Sequence, residues 1–113
     1  MITMPYPPTL NTYWRNVNEK VLISRKGRQY RKDIQDLAWR GRLAAYGDAR
    51  LSVVITAYMP DKRRRDLDNL TKAVFDSLTH AGVWQDDSQV DDFRIIRGPV
   101  EKPGRLEVEI EEI

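Results

Sequence analysis

The sequence contains no cysteine and a single histidine among its 113 residues. Without cysteine there is no disulfide framework and no thiolate metal site, which is typical of proteins in a reducing cytoplasm. No apolar run approaches the roughly 20 residues of a membrane-spanning helix, and the N-terminus lacks a secretory signal pattern. A Ser-His-Asp set, a P-loop and a Gly-rich dinucleotide motif are also missing. We therefore expect a cytoplasmic protein with no membrane segment and no small-molecule cofactor.

Length and composition indicate one domain, residues 1–113, with 41% apolar and 32% charged residues. The net charge of +2 is unevenly distributed. Residues 101–113 carry five Glu against Lys102 and Arg105, a local charge of −3, so the first hundred residues carry +5. A basic body with an acidic edge favours a polyanionic partner such as nucleic acid.

Cations are concentrated between residues 25 and 42, where seven of them face only two acids, Asp33 and Asp36. The alternative to a polyanion-binding surface is an ordinary solvated helix face. The seven cations are Arg25, Lys26, Arg28, Arg31, Lys32, Arg40 and Arg42.

Hydrophobic periodicity predicts an α+β domain with the element order ββαβαββ, in which two helices pack on a mixed, mainly antiparallel sheet. The apolar spacing predicts helices over 25–46 and 67–81, the first capped by Ser24 and ended by Gly47, the second ended by Gly82. Strands are expected at "MITMPY", "KVLIS", "RLSVVITAYM", 89–97 and 105–112. We also expect Trp39 and Trp84 in the core.

The segment "DKRRRDLDNLTKAVFDSLTHAG", residues 61–82, places a basic run directly against acids. Cations oppose the macrodipole at a helix N-terminus, so that run requires another explanation. Asp66 and Asp68 stand where a strand gives way to a helix, and Asp86-Asp87 follow that helix. Oxygen ligands of this kind suit one or two Mg²⁺ ions acting on a phosphodiester, with the run Arg63 to Arg65 holding phosphates. The alternative is that these aspartates only cap helices and turns.

Aromatic residues near the N-terminus offer a second type of nucleic-acid contact. Tyr13 and Trp14, beside Arg15, could stack on exposed bases, with core or loop packing as the alternative. The single histidine, His80, is expected to act as a cation at a helix C-terminus.

The stretch "PDKRRRDLDNLTKAVFDSLTHAGVWQDDSQVDDFRI" resembles the RusA family of Holliday junction resolvases. The shared features are a basic run, D-L-D-N, a lysine four residues past the second aspartate, and a D-D-x-Q-V segment. The stretches "PYPPTLNTYWR" and "GRLEVEIEE" extend the likeness nearly end to end. The resemblance implies a homodimeric endodeoxyribonuclease, bacterial or phage-derived, that acts in DNA recombination and repair. It would cut four-way DNA junctions by paired nicks, with Mg²⁺ as its cofactor and Mn²⁺ as a substitute.

The resemblance also assigns roles by position. Asp66, Asp68 and Asp87 match the family's catalytic, metal-binding acids, and Lys72 matches its essential lysine. The lysine would stabilise charge on the phosphate or position the attacking water. DNA contacts would come from the cations and polar or aromatic side chains already singled out, namely Arg63, Arg64, Arg65, Asn69, Tyr13, Trp14, Arg25, Lys26, Arg28 and Arg31.

Two questions stay open at this stage. Non-catalytic junction binding and a less selective metal-dependent nuclease are the competing functions. The second question is whether Asp87 reaches the acids of its own chain, because a helix over 67–81 separates it from them by on the order of 22 Å. Since nuclease sites are usually self-contained, we expect one chain to supply its own site; a site completed by the partner is the alternative.

Overall fold

The structure, a computed structural model, describes residues 1–41 and 43–113, without the side chains of Leu10 and Asn11. Arg42, one of the seven cations counted above, lies outside the described residues. The strands are β1 (Ile2–Pro5), β2 (Trp14–Val17), β3 (Lys20–Ile23), β4 (Leu51–Tyr58), β5 (Val90–Arg97) and β6 (Arg105–Glu112). The helices are α1 (Leu10–Tyr13), α2 (Arg25–Trp39) and α3 (Asp68–His80), with a 3-10 turn at Asp87–Gln89. The expected α+β class, with two long helices and a mixed sheet, is confirmed.

Four strands form the main sheet in the order β1-β6-β4-β5. β6 pairs antiparallel with both β1 and β4, whereas β4 and β5 are parallel and are connected through α3. A parallel pair needs a long crossover, which the helix supplies. Because parallel strands end at the same side of a sheet, the segment between β4 and α3 starts beside the end of β5.

The second expected strand, "KVLIS", forms as β3 (Lys20–Ile23), but it lies outside the main sheet. β3 pairs with β2 in a separate two-stranded hairpin, and α1 and β2 were not predicted. Asn18 and Glu19 connect the two strands with φ values of 50° and 64°. Such left-handed residues favour the tight hairpin turn.

α2 begins where predicted but ends earlier. The Ser24 side chain accepts a hydrogen bond from the Gly27 N–H at 3.0 Å, as an N-cap does. The helix stops at Trp39 rather than at 46, because Gly41 adopts φ +70°, the left-handed conformation that ends a helix. Near its start, a Cβ on Gly27 would lie 2.5 Å from the Tyr13 carbonyl oxygen, so only glycine lets the two helices approach this closely.

One hydrophobic core joins β4, β6, α2 and α3, and it buries Trp84 as predicted. The prediction for Trp39 is wrong, since that residue is 84% exposed. The buried residues of α2 are Gly27, Tyr30 and Ile34. At about 100° per residue, Trp39 lies roughly 140° beyond Ile34 and faces away from this stripe. Within the described residues, no helix is long and apolar enough to cross a membrane.

Candidate active site

The segment between β4 and α3 is fixed by Asp61. Its carboxylate accepts a hydrogen bond from the Arg63 N–H at 2.9 Å and pairs with the Arg65 guanidinium. The hydrogen bonds from Arg65 and then from the Arg63 backbone lower the pKa of Asp61 to about 2. The Arg97 side chain donates to the Arg65 carbonyl at 2.7 Å, which ties the end of β5 to the same segment.

The arginines of the basic run therefore fall into two groups: committed arginines, which are paired within the chain, and available arginines, which are exposed to solvent. Arg65 is committed: its side chain is only 19% exposed, is paired with Asp61, and lies 6.0 Å above the Tyr6 ring. Arg63 is 83% exposed, at 3.8 Å from Asp61, and Arg64 is exposed. The prediction that all three arginines hold phosphates is therefore corrected for Arg65, whose side chain stabilises the turn through its ion pair with Asp61. Arg63 and Arg64 remain available to an anion.

A pocket of about 380 Å³ opens between the N-terminal loop and the start of α3. Asp66 lies in it beside Arg64, while the Asn69 N–H donates to the Asp66 carbonyl at 3.3 Å. A wider groove of about 640 Å³ shares Tyr6 and Arg65 with this pocket. That groove brings Lys26 of α2 to the same surface as Arg63, so cations from two distant segments line one path.

A second pocket of about 330 Å³ lies along the middle of α3. The 3-10 turn folds back against the helix here, so that Asp87 lines the same pocket as Lys72. The remaining lining residues are Trp14, Asp76, Thr79 and Asp86. The structure thus brings together the predicted lysine and one predicted acid that lie 15 positions apart in the sequence.

Asp76 is not available to a ligand in this pocket. The Arg31 guanidinium donates to both of its carboxylate oxygens, at 2.7 and 3.0 Å, and the Tyr13 hydroxyl donates to it as well. Burial raises the pKa of Asp76, but the hydrogen bonds from Arg31 and Tyr13 outweigh it and the net pKa lies below its usual value. Burial, followed by the hydrogen bond to Asp76, raises the pKa of Tyr13.

This network corrects two of the expected DNA contacts. Base stacking by Tyr13 is wrong, because its ring is fully buried and packs edge-on against Trp14. The Arg31 side chain is paired with Asp76 and is only 25% exposed, so its main role is this ion pair rather than a phosphate contact. Trp14 is half-buried at the second pocket, while the exposed cations at the start of α2 are Arg25, Lys26 and Arg28.

The Asp86-Asp87 turn is held by Gln89, a buried residue that composition and spacing did not identify. Its side-chain oxygen accepts from the N–H groups of Gln85 and Asp86 at 2.8 and 2.9 Å. Its nitrogen donates to the carbonyls of Gly47 and Ala49 at 2.9 and 2.8 Å. The amide thus uses all four of its hydrogen-bonding positions. The glutamine of the D-D-x-Q-V segment is the sequence signal for this role.

The cap-and-turn alternative holds for some aspartates and fails for others. Asp86 forms a capping box with Gln89, and Asp61 accepts a turn hydrogen bond. By contrast, the N-cap of α3 is Leu67, which makes no side-chain cap bond. Within the described part of the chain, which excludes Arg42 and the side chains of Leu10 and Asn11, no hydrogen bond or ion pair engages the side chains of the four predicted catalytic residues, Asp66, Asp68, Asp87 and Lys72.

The three predicted metal ligands do not form one cluster within a single chain. Among the described residues, no group of three or more His, Asp or Glu side chains is arranged to hold a metal ion. Asp66 lines the first pocket and Asp87 the second. Exposed carboxylates suit Mg²⁺, which commonly takes one or two of them together with waters and substrate phosphate. The donor chemistry therefore fits the metal, and the third ligand stays a prediction.

The opposite face of the sheet has the reverse charge. Along β6, Leu106 and Val108 are buried, whereas Glu107, Glu109 and Glu111 alternate with them and face outward. A row of glutamates is unfavourable for a phosphate backbone, whereas the exposed cations Arg25, Lys26 and Arg28 lie on the helix side.

An α+β domain with uncommitted carboxylates, a lysine and available arginines on one face has the parts of a phosphodiester-cleaving enzyme. Residues 5–111 match the family model described as "Endodeoxyribonuclease RusA". The chain belongs to the RusA family of endodeoxyribonucleases.

Individual relatives match over nearly the whole chain. A "Crossover junction endodeoxyribonuclease rusA" of Enterobacteria phage HK97 is 48% identical over 110 residues, covering 97% of this chain and 92% of the relative. The protein of the same name from Enterobacteria phage 82 is 46% identical, covering 99% and 93%. "Crossover junction endodeoxyribonuclease RusA" of Escherichia coli (strain K12) is 44% identical over 112 residues, with the same coverage.

Proposed function

We propose that this protein is a Mg²⁺-dependent endodeoxyribonuclease that cuts four-way DNA junctions by paired nicks. The observation that carries the proposal is the set of Asp66, Asp68, Asp87 and Lys72, which no partner engages within the described chain. Exposed charges without internal partners contribute little to folding and are free for a substrate or metal. Relatives named as crossover junction endodeoxyribonucleases support the junction as substrate.

Asp66 and Asp68 would hold the metal at the start of α3, with Asp87 as the third ligand. When bound, Mg²⁺ supplies Lewis-acid stabilisation of the phosphate and a water of lowered pKa. Lys72 lies one helical turn beyond Asp68, a rise of about 6 Å, and places its positive charge where the phosphate gains negative charge. Mn²⁺ would substitute because it also accepts carboxylate and water oxygens.

DNA would lie across the helix face of the domain. Arg63 and Arg64 contact backbone phosphates next to Asp66, and Lys26 continues this path along the groove. Arg25 and Arg28 extend the positive surface beyond it. Asn69, in the first turn of α3, lines the same pocket as Asp66, where its side chain can reach the sugar-phosphate backbone, and Trp14 offers a partly exposed ring to a base.

A two-fold homodimer fits this substrate because a four-way junction offers two equivalent strands to cut. Recombination and repair intermediates contain such junctions, and we propose that the protein acts on them in the cytoplasm of a bacterium, with a host or phage origin.

The decisive experiment titrates Mg²⁺ against a synthetic four-way junction, with linear duplex and flap substrates of matched length. We expect paired nicks in the junction that require the metal, and no cutting of linear duplex. Binding without cleavage would support a non-catalytic junction-binding module. Equal cutting of flaps and junctions would support a less selective nuclease.

A further inference from the structure

Asp76 lies one helical turn after Lys72 on α3, and both residues line the second pocket. Oppositely charged side chains at this spacing commonly form an ion pair on a helix surface. In the described part of the chain, however, no hydrogen bond or ion pair joins Lys72 to Asp76. The predicted catalytic lysine therefore stays exposed although a carboxylate lies one turn away.

The carboxylate of Asp76 is occupied from α2 instead. The Arg31 Nε donates to Asp76 Oδ2 at 2.7 Å, and the Arg31 Nη2 donates to Oδ1 at 3.0 Å. The Tyr13 hydroxyl donates to Oδ2, so among these donors only Arg31 engages Oδ1. A bidentate arginine pair is stronger and more specific in geometry than a contact with a lysine. With side chains only 25% and 24% exposed, this pair is also partly shielded from water.

We infer that Arg31 is a positioning residue of the nuclease: by occupying Asp76, it keeps Lys72 unpaired and available to the phosphate. This assignment rests on the proposed function, in which Lys72 acts on the phosphate. Without Arg31, Asp76 Oδ1 would be free to accept a hydrogen bond from Lys72. The carboxylate would then neutralise the lysine and place a negative charge about 6 Å, one helical turn, from it.

A second cation, His80, lies one turn beyond Asp76 on α3. Burial acts most strongly on the pKa of Asp76, the hydrogen bonds act next, and the charge of His80 acts least. At pH 8 an ordinary histidine side chain is neutral. An assay at that pH therefore leaves Lys72 as the helix cation that can pair with Asp76.

Arg31→Met tests the assignment through the single-turnover cutting rate at pH 8. Protein saturates the junction, at a temperature where circular dichroism shows every variant to be folded. The rate should fall about five- to tenfold, because an exposed cation is neutralised and a negative charge is added beside it. Adding Asp76→Asn to Arg31→Met should return the rate to within about twofold of the wild type, because the asparagine offers no charge to Lys72.

Two single variants serve as controls for Arg31→Met. Arg31→Lys keeps a cation against Asp76 and should cut within about twofold of the wild type. Lys20→Met removes an exposed cation of β3 away from both pockets and should also stay within about twofold. A merely structural role for Arg31 would give a double variant that cuts no faster than Arg31→Met. That result, or an Arg31→Met variant that cuts within about twofold of the wild type, would overturn the assignment.

The ammonium group of Lys72 gives a readout that does not depend on cutting. In nitrogen-15 NMR of the free protein, its resonance, assigned through Lys72→Arg, should shift in Arg31→Met and return in the double variant. This pattern together with a wild type that cuts no junction would support the pairing and reject the nuclease. A resonance that does not shift in Arg31→Met would overturn the pairing, whether or not the wild type cuts.

Discussion

Asp68 and Asp76 have identical side chains and lie on the same helix, α3, but the residues around them differ. Asp68, in the first turn, is exposed, and within the described chain its carboxylate has no partner. Asp76, about two turns later on the same side, is clamped by Arg31 and Tyr13. A carboxylate neutralised inside the chain stabilises the fold, whereas one left in water is available to an external cation. Position on the helix face cannot separate these roles, but the partners can.

The largest expected effect comes from removing the available carboxylate. Asp68→Asn should reduce metal-dependent junction cutting by more than the 10- to 100-fold that is typical of residues supporting a metal site. Junction binding should be unchanged or tighter, because the substitution removes negative charge beside DNA. The urea midpoint should change little, since no side chain in the described part of the chain pairs with Asp68 and the loss of its charge in the first helical turn costs at most about 1 kcal/mol. Single-turnover cleavage, binding and urea unfolding are measured on the same preparation.

Asp36→Asn is the matched control, since Asp36 is another exposed helical aspartate away from the pockets that hold the predicted acids. It should leave cutting unchanged. If folded Asp68→Asn cuts within about threefold of the wild type, well short of the loss typical of metal-site residues, Asp68 is not a ligand and its contrast with Asp76 has no catalytic meaning.

The next effect concerns which chain supplies Asp87. The sequence favours a self-contained site, but Asp66 and Asp87 line separate pockets. A site completed across a dimer would place the partner's Asp87 beside Asp66 and Asp68 of this chain. We therefore expect each site to be completed across the dimer.

Mixed dimers test this arrangement. Asp66→Asn and Asp87→Asn should each be inactive alone, and they are mixed under conditions that exchange subunits. A shared site leaves one intact site in every mixed dimer, so roughly a quarter of wild-type nicking should return in an equal mixture. Each variant incubated alone is the control. A mixture that stays inactive while subunit exchange is verified would show that one chain supplies its own site.

Sequence reasoning identified the parts of the fold that depend on local patterns. The apolar stripe of α3, the Ser24 cap and the alternation of β4 and β6 follow from periodicity and capping chemistry, and all are present. The separate hairpin was missed because a four-residue strand says nothing about which strand it pairs with. The early end of α2 depends on the left-handed conformation of Gly41, which lies inside the predicted helix over 25–46.

The site was predictable in its residue types but not in its partners. The run of arginines looked uniform in sequence, yet Arg65 is paired with Asp61, whereas Arg64 has no ion-pair partner in the described part of the chain. Tyr13 looked like a stacking residue because nothing local reveals that Asp76, 63 positions away, would bind its hydroxyl. Long-range ion pairs divide chemically identical residues into structural and available ones, and a single sequence does not contain that information.

A smaller effect, on the stability of the fold, is expected from removing the charge of Asp76, which is paired within the chain. Asp76→Asn weakens the pairing with the half-buried Arg31 and should lower the free energy of unfolding by about 1–3 kcal/mol. The effect should depend on pH. Because the folded-state pKa of Asp76 lies below its unfolded value, its ionisation stabilises the fold above about pH 4, and that contribution is lost as the pH falls through the folded-state pKa.

Urea unfolding at pH 6 and pH 3 measures this dependence. The wild type should exceed Asp76→Asn in stability at pH 6, and the difference should shrink at pH 3. The Asp68→Asn variant is the control, and its difference from the wild type at pH 6 should be smaller than that of Asp76→Asn. An Asp76 difference that is equal at both pH values would mean that its charge does not stabilise the fold.

The smallest expected effect concerns the salt dependence of junction binding, compared between the neighbouring residues Arg64 and Arg65. Each phosphate that the protein neutralises contributes a slope of about −0.9 to the plot of log binding constant against log salt concentration. Arg64 is exposed, and in the described chain it has no ion-pair partner, whereas the Arg65 side chain is 19% exposed and paired with Asp61. Arg64→Gln should therefore make the slope for junction binding about 0.9 less negative, and Arg65→Gln should leave it near the wild-type value.

Fluorescence anisotropy from low to moderate salt, in the absence of Mg²⁺, separates the two variants. Equal changes in slope would mean that Asp61 releases Arg65 to the DNA, and that pairing within the free chain does not decide which cations bind phosphate.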